Sequence, residues 1–214
     1  DHRQPGYRAR RSFLARGAVS CAAELSPRLG DMRAAEIAAD LSSVLVTEEE
    51  ITAKLIELAA QVTADYEGKE VLLVGVLKGA VMVMADFARA LPRHIEMDWM
   101  AVSSYGAGTK SSGVVQIRKD LDTDIHGKHV LIVEDIIDSG LTLSWLLENF
   151  ALRGAESVEV LALLRKPAAA KVHVDCRYVG FDIPSDFVVG YGLDYDEKYR
   201  NLRDVAVLAP HVYS

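Results

Sequence analysis

Two adjacent carboxylates, Glu134 and Asp135, stand just ahead of Asp138-Ser139-Gly140-Leu141-Thr142. Acceptor-only groups such as these suit the two hydroxyls of a ribose. A loop of small residues with one glycine lets successive backbone N–H groups converge on a point, where a helix N-terminus adds partial positive charge. An anion of phosphate size belongs there, so the segment reads as a cradle for a sugar and a phosphate side by side. Two elements must position it. The apolar run His129-Val130-Leu131-Ile132-Val133 has strand length, and a helix is expected to start near Thr142. Ligands of open α/β sheets bind at the carboxyl ends of strands, which is where the acids fall. Taken one residue at a time, a buried strand, a polar turn and an N-cap from Asp138 or Ser139 would suffice. Three acids within residues 134–138, followed by a hydroxyl-Gly-x-hydroxyl loop, exceed what one cap requires.

The flanking chain supplies the frame. Thr47-Glu48-Glu49-Glu50 forms a capping box, and Ile51, Leu55, Leu58, Ala59, Val62 and Tyr66 recur at helical spacing, predicting a helix over 48–66. Residues 71–77 are a continuous apolar strand, broken by Lys78-Gly79 and followed by a helix that Pro92 stops. Residues 95–103 alternate as a strand, residues 104–113 form a polar Gly/Ser-rich loop, and extended chain resumes at 114–117. After a helix over 142–153 come a buried strand at 158–164 and short strands near 177–181, 187–190 and 205–208. Strands alternating with helices predict an α/β fold, a mostly parallel sheet covered on both faces.

Composition narrows the function classes. The 214 residues, 50% of them hydrophobic, can bury one substantial core. No run approaches the length of about 18 apolar residues that would span a membrane, so no membrane partner is expected. Cys21 and Cys176 are far apart with no C-x-x-C spacing, which fits a reducing cytoplasm better than a disulfide framework. Residues 1–33 carry seven Arg and three acids, whereas residues 34–214 carry 17 basic and 28 acidic groups. An acidic body argues against nucleic acid as the main partner. The basic segment 1–33 is expected to be a mobile extension. It has transit-peptide-like composition but no long apolar stretch.

Several patterns mislead. Asp120-Leu121-Asp122-Thr123-Asp124 begins like a calcium loop, yet Ile125 and Leu131 occupy the positions of its Gly and Glu. Gly106-Ala107-Gly108-Thr109-Lys110-Ser111 lacks Walker spacing and precedes a strand. Gly190-Tyr191-Gly192 lacks the third glycine of the dinucleotide fingerprint. His126 and His129 have no third metal ligand nearby.

The segment 133–143 resembles the phosphoribosyl-pyrophosphate motif of type I phosphoribosyltransferases, and Glu-Asp-Ile-Ile-Asp-Ser-Gly-x-Thr is similar to its hypoxanthine-guanine branch. Leu77-Lys78-Gly79, Ser104-Tyr105-Gly106 and Phe187 to Tyr195 agree in order, so the resemblance spans about residues 40–210. It implies a Rossmann-like sheet with a small hood lobe, the hood built from about 167–214 and the N-terminal part of the domain 34–214. It implies that the donor's 5'-phosphate and ribose meet Glu134, Asp135, Asp138, Ser139, Gly140, Leu141 and Thr142, and that Mg2+ is held by Glu134, Asp135 and Asp194. Lys78, Gly79 and Arg200 would meet pyrophosphate, through a turn with a cis peptide before the lysine. Ile136, Lys166, Phe187, Val188 and Asp194 would surround the purine. There Lys166 would donate to the 6-oxo group, Phe187 would stack on the ring and the Val188 backbone would read its edge.

The implied reaction is displacement of pyrophosphate from C1 of 5-phosphoribosyl-1-pyrophosphate by N9 of hypoxanthine or guanine, through an oxocarbenium-like transition state. Asp138 is the candidate catalytic group, handling a proton at N7, and the loop opening at Ser104-Tyr105 is the candidate lid. Small molecules are the implied partners, and a homodimer or homotetramer the implied assembly. A xanthine, adenine or pyrimidine phosphoribosyltransferase remains an alternative, as does a non-catalytic nucleotide-binding regulator of the same fold. Asp138, where adenine enzymes usually carry an apolar residue, favours the oxopurine branch. Leu141 departs from the lysine many relatives carry, which removes a side chain from the loop and leaves its backbone.

Overall fold

The structure is a computed structural model that describes residues 32–104 and 115–214. The expected lid therefore lies outside the described residues, except for the backbone of Ser104, and so does nearly all of the basic segment 1–33. Arg33, at its end, pairs with Glu48 at 2.7 Å.

A 3-10 helix, Ala34–Asp40, leads into β1 (Leu41–Val46), α1 (Glu48–Asp65), β2 (Val71–Leu77) and α2 (Val81–Ala90). Then follow β3 (Glu96–Ser104), β4 (Val115–Lys119), β5 (His129–Ile137), α3 (Leu141–Leu152) and β6 (Ser157–Arg165). A 3-10 turn at Pro167–Ala169 precedes β7 (Tyr178–Asp182), β8 (Val188–Val189), β9 (Val205–Leu208) and α4 (Pro210–Tyr213). Six strands form one sheet in the order β4-β3-β2-β5-β6-β7. Every pairing in it is parallel except that of β4 with β3. The mostly parallel sheet expected from strand-helix alternation is present.

The period of two along each central strand sorts its side chains into two layers. Val71 and Leu73 of β2, Leu131 and Val133 of β5, and Leu161 and Leu163 of β6 pack with Ile51, Leu55 and Leu58 of α1 and Met84 and Phe87 of α2. Leu72 and Val74, Val130 and Ile132, and Val160 and Ala162 face the other way, onto Leu143, Leu146 and Phe150 of α3. The capping box sets where α1 begins: Thr47 Oγ1 accepts from the Glu50 N–H at 3.3 Å, and the Thr47 N–H donates to Glu50 at 2.9 Å.

A second, three-stranded antiparallel sheet has the order β1-β9-β8. Leu41 pairs with Leu208 and Val46 with Val205, so the two ends of the described chain share one sheet. β1 carries no clean alternation and was not expected from the sequence. Its partner at the other end of the chain makes it a strand.

Strand order reverses direction at β2, which has β3 on one side and β5 on the other. The carboxyl ends of β2 and β5 therefore border the crevice in which open α/β sheets bind ligands. Lys78-Gly79 leaves β2 there, and Glu134 to Ile137 ends β5.

Candidate functional site

The loop after β5 encloses a cavity of about 130 Å³ lined by Glu134, Ile136, Ile137, Asp138, Ser139, Gly140, Thr142 and Leu143. The helix α3 starts at Leu141, one residue before the expected Thr142, because its N-cap is Gly140 with φ 79° and ψ −8°. A residue with a Cβ would be strained there, and the Cβ would also meet the Val172 carbonyl oxygen at 3.0 Å. Neither Asp138 nor Ser139 caps the helix, and the cap has no side-chain hydrogen bond. The N-terminal N–H groups of α3 are left for an anion. Asp138 is exposed at the mouth, and among the described residues no side chain pairs with its carboxylate. The Ser139 carbonyl accepts from the N–H groups of Lys171 and Val172, at 3.0 and 3.3 Å, which ties the loop to the segment after β6.

Glu134 is 8% exposed. Burial first, and the neighbouring Asp135 charge second, hold its carboxyl well above the usual carboxylate range. Burial likewise pushes Asp135 up to about 6, against the pull of the Ile136 N–H and of Arg200. That N–H donates to Asp135 Oδ1 at 2.8 Å. The other oxygen, Oδ2, occupies the space a Gly79 side chain would fill. The site thus concentrates carboxylate oxygen where the charged form is poorly solvated, a setting that favours a bound cation.

The peptide between Leu77 and Lys78 is cis. Lys78 Nζ lies 3.1 Å from Glu197 Oε2, and the same oxygen is 3.3 Å from Arg200 Nη2. Arg200 Nη2 also pairs with Asp194 Oδ1 at 2.9 Å, and its Nη1 donates to the Gly192 carbonyl at 2.7 Å. Lys78, remote in sequence, joins Asp194 and Arg200 around Glu197. The Asp194 charge adds a small upward push on Asp135, but among the described residues no three acidic, histidine or cysteine groups converge as a ready-made metal cage. Glu197 does not stand out in the sequence, because it follows Asp194 and Asp196 on a polar turn. Its only local signal is the Glu-Lys-Tyr-Arg spacing that lets Glu197 reach Arg200.

On the far side of the cradle, Lys166 follows β6 and its N–H donates to the Ile137 carbonyl at 2.9 Å. The residue is 8% exposed, and among the described residues no acid pairs with its ammonium group. Ile136 pairs with Leu164 across β5 and β6. Phe187 is 42% exposed. Its ring lies 5.8 Å from that of Tyr195 and 5.3 Å from that of Tyr213, centroid to centroid. Tyr195 ends the same local segment as Phe187, whereas Tyr213 has no sequence signal, since only the folded chain brings its end back to Phe187. Val188 is buried and pairs with Val207 on an edge strand, whose outward backbone groups have no strand partner among the described residues.

The set-aside patterns have structural employment. The Asp122 and Thr123 N–H groups donate to the buried Asp98 at 2.9 and 2.8 Å, and Asp120 takes both guanidinium nitrogens of Arg153. His129 Nδ1 meets Ser157 Oγ at 2.7 Å, while His126 packs over Gly154.

Comparison with known proteins gives a consistent picture. Residues 42–196 match the phosphoribosyl transferase domain family. A hypoxanthine-guanine phosphoribosyltransferase of Mycobacterium tuberculosis H37Rv is 56% identical over 180 residues, 81% of this chain and 89% of that protein. One of Bacillus subtilis strain 168 is 52% identical over 174 residues, 81% of this chain and 97% of its own length. The crystal structure of a hypoxanthine phosphoribosyltransferase from Staphylococcus aureus superposes with a TM-score of 0.81 at 48% identity, covering 84% of this chain and 97% of that one.

Proposed function

The chain belongs to the phosphoribosyl transferase domain family, and on that premise we propose that it is a purine-salvage enzyme. It transfers the 5-phosphoribosyl group of 5-phosphoribosyl-1-pyrophosphate to N9 of hypoxanthine or guanine, giving IMP or GMP and pyrophosphate. The reading rests above all on Lys166, a side chain largely covered by its neighbours with no acidic partner among the described residues, one strand from the phosphate-sized cavity. A purine 6-oxo group is an acceptor that lysine, which can only donate, would select.

The remaining groups divide the work. Backbone N–H groups of Ser139 to Thr142 hold the 5'-phosphate, and Leu141 takes part through its main chain. Glu134 and Asp135 lie along the ribose hydroxyls. Lys78, the amides about Gly79 and Arg200 take the diphosphate and stabilise its charge as the C1–O bond breaks. Phe187 stacks on the base, Ile136 walls its pocket and the Val188 backbone reads its edge. Asp138, at the mouth of the cradle, accepts or returns the N7 proton while N9 attacks C1.

Glu134, Asp135 and Asp194 are the residues that would hold magnesium. Their hard oxygens suit magnesium, which takes one or two carboxylates at a time and completes its shell with substrate phosphates and water, so the three need not all bind it together. When bound, it supplies charge neutralisation at the diphosphate. A cytoplasmic setting belongs to the same reading. Among the described residues no helix is long and apolar enough to cross a membrane. Assembly as a homodimer or homotetramer belongs to the same reading, and light scattering measures it.

The test is a substrate panel: hypoxanthine, guanine, xanthine, adenine and uracil, each with the phosphoribosyl donor and magnesium. Nucleotide should form with hypoxanthine and guanine. Product from adenine or uracil alone, or none from any base, overturns the proposal.

A further inference from the structure

Both cations assigned to the diphosphate are already engaged by a carboxylate of the protein itself. Glu197 Oε2 lies 3.1 Å from Lys78 Nζ and 3.3 Å from Arg200 Nη2. These cations come from opposite parts of the chain, one from the turn after β2 and one from the segment before β9. The carboxylate between them joins the two sides of the crevice. Asp194 completes the group, pairing with Arg200 at 2.9 Å and accepting the Glu197 N–H at 2.9 Å through its other oxygen. Two bases and two acids cancel, so the group is neutral without ligand. A diphosphate arriving at the same cations would meet a carboxylate in its way.

The four members differ in how firmly they are held. Arg200 is anchored by the Gly192 carbonyl as well as by Asp194, and its side chain is 24% exposed. The side chains of Lys78 and Glu197 are 65% and 63% exposed. An ion pair in that setting is weak and exchanges readily. Glu197 sits on a left-handed turn, with φ 51° at Asp196 and 60° at Glu197, whose hydrogen bond to Asp194 fixes the backbone and leaves the side chain to rotate. Arg200 Nε is buried without a hydrogen-bond partner among the described residues, so Arg200 keeps a donor in reserve.

We propose that Glu197 is a built-in competitor of the diphosphate: its carboxylate occupies Lys78 and Arg200 in the free protein and swings out when a diphosphate binds. This rests on the assignment of Lys78 and Arg200 to the diphosphate. The exchange keeps both cations aligned and neutralised between turnovers. It weakens binding of the donor and of the pyrophosphate product, because either must displace the same carboxylate. Return of Glu197 to the cations helps the product leave.

The experiment compares the parent with Glu197→Gln, which keeps shape and hydrogen bonding but removes the charge, by calorimetric titration with magnesium pyrophosphate and separately with IMP. The variant should bind pyrophosphate about threefold to tenfold more tightly, the range expected when exposed ion pairs of this kind no longer compete. IMP, which carries no diphosphate, should bind both proteins equally and reports that the variant is folded. In a Lys78→Ala background the gain from Glu197→Gln should shrink. Pyrophosphate affinity that is unchanged or weaker in Glu197→Gln, with IMP binding intact, overturns the competitor role alone. A parent that binds IMP but not pyrophosphate overturns the assignment of Lys78 and Arg200 together with it.

Discussion

Asp135 Oδ2 rests against the Cα of Gly79, filling the volume in which any side chain at that position would begin. The contact joins the carboxyl ends of β2 and β5, the two strands at which the sheet order reverses. It also couples the acid proposed for ribose and metal to the turn proposed for pyrophosphate, so neither can shift without the other.

Gly79→Ala should therefore damage the site far more than the fold. The methyl group must displace either Asp135 or the Lys78-Gly79 turn. A misplacement of about 1 Å costs on the order of 10²-fold in rate. The expected result is a fall of that size in kcat/KM for the phosphoribosyl donor, with a change of only a few degrees in Tm. Steady-state kinetics and thermal melting check it, and full activity would show that the contact does not position the donor.

Asp138→Asn removes a proton acceptor that has no side-chain partner among the described residues, so little structure should change. Turnover should drop by about 10² to 10⁴, the usual contribution of general acid-base help. The donor should still bind with parental affinity by calorimetry. Unchanged turnover would remove Asp138 from the chemistry.

Lys166→Met keeps the length of the side chain and deletes its charge and donors. Losing a charged hydrogen bond of about 1.5–3 kcal/mol should raise the KM for hypoxanthine by roughly tenfold to a hundredfold. Tm should hold or rise, since the methionine keeps the apolar packing of the stem and no acidic partner is left unpaired. A lower Tm with unchanged KM would make Lys166 a structural residue.

Cys176 offers a pH test. Burial raises its thiol from the ordinary 9.0 to about 11, so the folded state keeps the proton where an unfolded chain releases it. The associated stability is present below about pH 9 and is lost as pH rises toward 11. In a Cys21→Ser background, iodoacetamide at pH 8 should modify the native protein about a hundredfold more slowly than the denatured chain, matching the lower thiolate fraction. Equal rates would mean that the thiol is neither buried nor shifted.

Local chemistry was legible without coordinates. Thr47 and Glu50 mark the start of α1 through a bond pattern spanning three residues, and the continuous apolar runs of β2, β5 and β6 announce strands buried on both faces. The acids and small residues of 134–142 disclose a sugar-phosphate cradle because every contributor lies on one strand-loop-helix segment. Hydrogen-bonding capacity, backbone freedom and periodicity are properties of neighbouring residues, so the sequence carries them directly.

Tertiary structure decided whatever depends on residues that meet only after folding. Capping of α3 by Gly140, with Val172 packed against it, released Asp138 from a structural duty that fitted its spacing equally well. Pairing of β1 with β9 made a strand of a segment whose own pattern is indistinct. The contact of Asp135 with Gly79 and the grip of Glu197 on Lys78 have no local signature, because their partners are fixed by strand order and by the path of the C-terminal segment. The sequence by itself determined which chemistry each segment could offer. The fold decided which of those segments face one crevice, since burial of the apolar faces sets strand order and strand order sets the neighbours.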